Sequence, residues 1–178
     1  MIFLLFFLTL CLLFLMIYIY LNIFYTIILK VPMLATSDKT IENALGEINL
    51  ATKGKFYDLG SGNGKVAFRF AATHPNFNCI GIEFNLAAYF SAKIRNIFSK
   101  HKISCRRENF FKVNLDDADI VYTYLFPDIM KELEQKFNHE LKKGATVIAN
   151  TFPLQHKSPI KIIQSKTGKL GTLYIYKY

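Results

Sequence analysis

Cysteine is scarce in this chain and follows no pattern. Cys11, Cys79 and Cys105 stand alone among 178 residues. An odd, scattered set excludes a disulfide framework and points to a reducing compartment. None of His74, His101, His139 and His156 stands at metal-ligand spacing from a cysteine, so no metal site is expected. Charge is missing from one long stretch, because Met1 to Leu29 contains no Asp, Glu, Lys or Arg. The formal net charge of +9 is therefore carried by residues 30–178. The marks of a cleaved signal peptide are lacking too. Such a peptide has basic residues ahead of a shorter apolar core and small residues at its cleavage site. Here no Lys or Arg precedes Lys30, and Thr26-Ile27-Ile28-Leu29 is bulky. Outside this segment there are no repeats and no low-complexity tracts.

What the first stretch does have is length and apolarity. About 20 apolar residues span a bilayer core, and 1–29 exceeds that. Tyr18, Tyr20 and Tyr25 crowd its C-terminal half, as interfacial aromatics do. The expectation is one uncleaved transmembrane helix over 1–29 and one domain over 30–178. Lys30 and Lys39 lie on the C-terminal side, which puts that domain in the cytoplasm by the positive-inside rule.

The domain is organised around Asp58-Leu59-Gly60-Ser61-Gly62-Asn63-Gly64. Phe56-Tyr57 before it and the apolar-periodic run Val66 to Ala72 after it make a strand, a glycine turn and a helix. Glycine is required where φ is positive or a ligand touches the backbone, and the helix start offers free N–H groups. A dinucleotide fingerprint reads G-x-G-x-x-G, but Lys65 occupies its third glycine position. Asp58 inside the turn would repel a pyrophosphate and suits a cationic amino group.

The other elements come in chain order. Ser37 and Asp38 suit a helix cap, and Ile41, Ala44, Leu45 and Ile48 repeat with helical spacing. That helix covers the sheet edge or closes one side of the ligand pocket. Lys65 to Thr73 reads as a helix. Cys79 to Ile82 reads as a buried strand with Glu83 at its C-terminal end. An acid about 20 residues beyond a glycine loop is where doubly wound folds hydrogen-bond a ribose. Asn85 suits the cap of a helix from Leu86 to Ser99, with Ala87, Phe90, Ile94, Ile97 and Phe98 on or near one face. Further strands are expected over Ile103 to Arg107, Ile120 to Tyr124 and Ala145 to Asn150. Pro127 suits a first helical turn. Ile129, Met130, Leu133, Phe137 and Leu141 give that helix a buried face, and Lys142-Lys143-Gly144 stops it. Two last strands, Lys161 to Gln164 and Leu173 to Tyr176, are expected with Gly168 and Gly171 between them. A parallel NAD-binding sheet would have a helix there instead of a hairpin.

The acidic-first G-x-G-x-G stretch resembles motif I of the class I S-adenosylmethionine (SAM) methyltransferases. The resemblance implies an α/β fold with a Rossmann-like seven-stranded sheet and an antiparallel last strand. It also implies SAM as cofactor. It places Asp58 near the methionine amino group and Gly60, Ser61, Gly62, Asn63 and Gly64 against the ligand. It puts Glu83 on both ribose hydroxyls, with Phe84 and Asn85 beside it. Asn109 then meets the adenine amino group, where aspartate is commoner, and Phe110 packs on the ring. The wider set of strings is similar to a narrower group. It comprises Asp58 to Val66, Glu83-Phe84-Asn85, Glu108-Asn109-Phe110, Glu140 to Ala145 and Asn150-Thr151-Phe152-Pro153. That group is the membrane-anchored protein lysine methyltransferases of mitochondria and their bacterial relatives, which act on the ATP synthase c subunit and the adenine nucleotide translocase. Leu125-Phe126-Pro127-Asp128 departs from the Asn/Asp-Pro-Pro-aromatic sequence of the methylases of exocyclic base amino groups, which counts against such substrates.

The resemblance thus implies a membrane-anchored enzyme methylating a lysine of a membrane protein. Methylation of a lipid, quinone or other membrane-dissolved molecule stays open, as does a non-catalytic SAM-binding scaffold. A lysine nucleophile must be neutral, and burial lowers its pKa. Tyr122, Tyr124 and Phe126 are candidates to wall its channel with π faces. Tyr124 is the candidate catalytic residue, and no general base is assigned. The basic stretch Lys100 to Arg107 is also the kind of patch that binds RNA. In a chain with a membrane segment it reads first as a solvated or lipid-facing patch, and a nucleic-acid partner is not expected. No insertion is long enough for a substrate lid, which suits a large acceptor that completes the cavity itself.

Overall fold

The structure, a computed structural model, describes residues 2–29, 52–165 and 168–178. The chain divides into two compact units, Met1–Met33 and Leu34–Tyr178. The first contains α1, Ile2–Leu29, a helix of 28 residues. Its span Ile2–Tyr20 is long and apolar enough to cross a membrane, and none of that span is buried. The expected helix around Ile41 to Ile48 lies outside the described residues.

The second unit is a seven-stranded sheet. Its strands are β1 (Gly54–Leu59), β2 (Phe77–Ile82), β3 (Ser104–Arg106), β4 (Ile120–Thr123), β5 (Thr146–Asn150), β6 (Lys161–Ser165) and β7 (Gly168–Lys177). The spatial order is β3-β2-β1-β4-β5-β7-β6. The first five are parallel, and β7 runs antiparallel between β5 and β6. β4 and β5 are buried at every position. Strands covered on both faces read as continuous apolar runs, which is why their sequences do not alternate. Three α-helices connect the parallel strands: α2 (Lys65–Thr73), α3 (Leu86–Phe98) and α4 (Pro127–Glu140). α2 packs Val66, Ala67, Phe68, Phe70 and Ala71 onto the sheet. Phe70 stacks on Phe56 at 4.0 Å and meets Phe77 edge-on at 5.1 Å. At the N-terminal ends of β1 and β4, Asp119 accepts the Lys55 N–H at 2.7 Å and pairs with Lys142 at 2.6 Å. That end of the sheet is tied together and leaves the opposite end for a ligand.

The chain leaves β1 for β2 on one side and returns through β4 on the other. In such sheets the crevice beyond the C-terminal ends at this reversal is where ligands bind. The register puts Asp58 opposite Gly81 on β2 and Tyr122 on β4.

Several boundaries differ from the expectations. Asp58 belongs to β1 rather than to the turn, because its backbone still pairs with both neighbours. β3 is three residues long, since as an edge strand it pairs only along Ile80 to Ile82. β4 ends at Thr123, so Tyr124 lies just beyond it. Gly168 and Gly171 lie inside β7 and not in a loop, because β7 pairs with β6 as far as Gly168, with an irregularity near Ile163 and Ser165. α4 stops at Glu140, and Leu141 is its half-buried cap. Cys79 on β2 is buried, whereas Cys105, which sequence reading also sets in a buried strand, is half-buried because β3 is the edge strand. The apolar residues of α3 share a face as expected, but that face points outward, and the helix buries Ala92 instead.

Candidate active site

The glycine loop is a backbone cradle. Gly60, Gly62 and Gly64 take φ of 75°, 56° and 77°, the left-handed region that side chains disfavour. Gly60 and Ser61 both donate their N–H groups to the Ile82 carbonyl, at 2.9 and 3.0 Å, which folds the loop over the end of β2. Gly81 makes room for it: a Cβ there would lie 2.9 Å from the Ser61 hydroxyl oxygen. Asn63 is exposed at the loop tip, and its Oδ1 accepts the Lys65 N–H at 3.3 Å. α2 starts directly behind, at Lys65.

Two buried carboxylates flank the cradle. Glu83 is 7% exposed. Its Oε2 accepts the Gly62 N–H at 2.8 Å, and its Oε1 accepts the Asn85 N–H at 2.6 Å. Glu83 thus holds the glycine loop against the start of α3, a structural task beside any ligand contact. Burial pushes its carboxyl up, against the N–H groups of Asn85, Gly62 and Phe84. Asp58 is 2% exposed. Burial pushes its carboxyl from 3.8 up to about 7; the Ala67 N–H opposes the rise and the Glu83 charge adds to it. Its Oδ2 is buried without a hydrogen-bond partner among the described residues. An unpartnered carboxylate oxygen is costly in a protein interior. A cationic donor entering the crevice would satisfy it.

The adenine-side candidates occupy the ends of β2 and β3. Asn85 caps α3, its Oδ1 accepting the Ala88 N–H at 3.0 Å. Phe84 is exposed, with the Arg107 guanidinium 5.9 Å from its ring centre. Asn109 caps a short 3-10 helix over Phe110–Lys112 through the Phe111 N–H, at 3.0 Å. Phe110 is buried against Phe111, ring centres 4.7 Å apart. Asn85 and Asn109 therefore have local capping roles whatever else they touch.

Beyond β4 and β5 the structure assembles an aromatic cluster. Phe152 lies 6.3 Å from Tyr124 and 5.9 Å from Phe126, centre to centre, and all three are half-buried. Tyr122 is not part of it. It is buried in the core, and its hydroxyl accepts from Asn150 Nδ2 at 2.8 Å, which removes it as a channel wall. Phe152 was not singled out by sequence reasoning; its signal lay in the string Asn150-Thr151-Phe152-Pro153. Thr151 before it holds a φ of 67°, a strained value for a β-branched residue. It is clamped there by the Thr172 carbonyl, at 2.7 Å from its N–H, by Asn150 Oδ1 at 2.9 Å and by the Gly171 N–H at 2.8 Å. The following loop is anchored by buried Glu134, which accepts the N–H groups of Gln155, His156 and Lys157 at 2.9, 3.0 and 2.7 Å.

Comparison with known proteins agrees with this arrangement. Residues 58–161 match the family described as the ANTKMT methyltransferase domain. A protein-lysine N-methyltransferase of Saccharolobus islandicus is 27% identical over 82% of this chain and 92% of its own length. The adenine nucleotide translocase lysine N-methyltransferase of Mus musculus is 29% identical over 80% of this chain, which spans 62% of that protein. Among solved structures, an RNA methyltransferase from Salinibacter ruber in complex with S-adenosyl-L-homocysteine has the same fold. Its TM-score is 0.74 at 22% identity, over 81% of this chain and 93% of that one.

Proposed function

We propose, from the premise that the chain belongs to the ANTKMT methyltransferase family and is a SAM-dependent methyltransferase, that it methylates a lysine of a membrane protein, with residues 30–178 forming a catalytic domain held on the cytoplasmic side by residues 1–29. SAM is its cofactor, and the crevice fits it. The observation that carries the assignment is the buried Asp58 Oδ2, at the end of β1 just before the glycine cradle, which lacks a partner among the described residues. It would accept the amino group of the methionine moiety. Glu83 keeps lone pairs for the ribose hydroxyls beside the two N–H groups it accepts. Gly60 to Gly64 bring the backbone against the ligand, and Phe84, Asn85, Asn109 and Phe110 border the adenine side.

When bound, SAM supplies an electrophilic methyl group for in-line displacement. The chain's contribution is alignment and the exclusion of water. Tyr124, Phe126 and Phe152 would surround the incoming lysine side chain. Their low-polarity faces favour the neutral amine that the reaction uses, and their π systems tolerate the cation that precedes and follows it. Thr151 is a positioning residue, because its clamped backbone sets where Phe152 stands.

The lysine substrate is supported by the relatives, which are named for lysine methylation, one of them of a translocase. The membrane setting is supported by α1. The test is transfer of labelled methyl groups to membranes by the full chain, followed by separation of proteins and lipids. Label in methyl-lysine of a membrane protein is expected. Label confined to lipid or quinone would overturn the substrate, and no transfer to any acceptor would favour a SAM-binding scaffold.

A further inference from the structure

α3 turns its apolar side away from the sheet. Leu86, Phe90, Ile94, Ile97 and Phe98 recur at i, i+4, i+8, i+11 and i+12, which makes one stripe on an α-helix. They are 42%, 53%, 57%, 69% and 82% exposed, whereas Ala92, on the opposite side, is buried. Phe84, just before the helix, is exposed as well. A contiguous apolar patch of this kind marks an interaction surface.

The charge around the stripe is of one sign. From Phe84 to Arg107 the sequence has six basic residues, Lys93, Arg95, Lys100, Lys102, Arg106 and Arg107, and no acidic one. Lys93 and Arg95 border the stripe on either side along the helix. Lys102 caps the end of α3 through the carbonyls of Asn96 and Ile97, at 2.6 and 2.9 Å. Lys93, Lys100, Arg106 and Arg107 are exposed. A second copy meeting this face would bring like charges together. An anionic surface with an apolar interior complements both features at once.

We infer that α3 is an interfacial helix whose apolar stripe enters the headgroup boundary of an anionic bilayer while its cations face the lipid phosphates. This is the arrangement of amphipathic helices that lie in the plane of a membrane. The inference rests on the bilayer setting proposed above and adds an orientation. α3 begins beside the cofactor crevice, just after Glu83, and runs back along the sheet toward the start of β3, so a bilayer touching the stripe lies along that flank of the domain, from the crevice toward the tied end. The domain is then held at two points, and its crevice is fixed relative to the membrane plane.

The test uses the full chain in vesicles of phosphatidylcholine and phosphatidylglycerol. A nitroxide on native Cys11, with Cys105→Ser, reports α1; a nitroxide on Ile97→Cys, with Cys11→Ser and Cys105→Ser, reports α3. The expected result is relaxation of both labels by oxygen, which dissolves in lipid, in preference to a water-soluble nickel complex. Reversing Lys93 and Lys100 to Glu should shift the docked fraction at position 97 toward water by at least about fivefold per residue. Relaxation of the 97 label mainly by nickel would overturn the inference. So would shielding from both reagents, which would mean cover by residues 30–51 or by a second copy. A lipid-facing Cys11 label with either of those outcomes leaves the bilayer setting standing; a water-facing Cys11 label removes both.

Discussion

Ionisation of Asp58 should govern SAM affinity near neutrality. The carboxyl is pushed up to about 7 by burial, with the Glu83 charge adding. Only its charged form suits a methionine ammonium. At pH 8 about nine-tenths of the free enzyme carries the charge and at pH 6 about one-tenth, so affinity should fall about tenfold on acidification, or about 1.4 kcal/mol. Calorimetry in buffers of different ionisation enthalpy reads this twice. The dissociation constant rises toward pH 6, and close to one proton is released per SAM bound at pH 6 but few at pH 8. Asp58→Asn should lose most of the slope and bind more weakly at pH 8 by about 1.5–3 kcal/mol, the worth of a hydrogen bond to a charged group. Burial raises the Glu83 carboxyl too, so the variant separates the contribution of Asp58 from that of its neighbour. The same group has a stability consequence. Between about 4 and 7 the folded, ligand-free protein holds a proton on Asp58 that the unfolded chain has lost. Its contribution therefore declines as pH rises through that window, by about 4 kcal/mol in all. Asp58→Asn should flatten that decline. A SAM affinity independent of pH from 6 to 8, or an equal slope in wild type and Asp58→Asn, would refute the reasoning.

Three further outcomes rest on particular contacts. Gly81→Ala brings a Cβ to 2.9 Å from the Ser61 hydroxyl and 3.2 Å from its Cβ; displacing the glycine loop should weaken SAM binding by about 1–3 kcal/mol in calorimetry. Phe152→Ala removes one wall of the aromatic cluster and should raise KM for the protein acceptor by up to about tenfold, with the SAM dissociation constant unchanged. Glu134→Ala removes the buried carboxylate that accepts three loop N–H groups; a loss of about 3 kcal/mol is expected, seen as a fall in Tm of about 10 °C.

Much of the glycine cradle and its flanking residues was legible in the chain because the signals are local. Positive φ at Gly60, Gly62 and Gly64 is a backbone demand that few residues other than glycine meet. An acid at a strand end and an asparagine at a helix cap sit within one or two residues of the elements that place them. Apolar runs without alternation identified the buried strands, and a terminal pair of strands in place of a helix identified the antiparallel end of the sheet. The apolar first segment was equally plain, since length and lack of charge are properties of sequence alone.

The aromatic cluster beyond β4 and β5 was not legible in the same way, because it depends on residues brought together from strands far apart in the chain. Tyr122 and Tyr124 look equivalent in sequence, but β4 ends between them. Asn150 on β5 takes the Tyr122 hydroxyl into the core, and Phe152 joins Tyr124 and Phe126 outside it. The strain at Thr151 exists only because β7 returns antiparallel beside β5 and supplies Thr172 and Gly171 as its clamps. The periodicity of α3 told which residues share a face but not which way that face points. That was decided by the sheet, which gives α3 an edge strand to lean on, takes Ala92, and leaves Leu86 to Phe98 exposed.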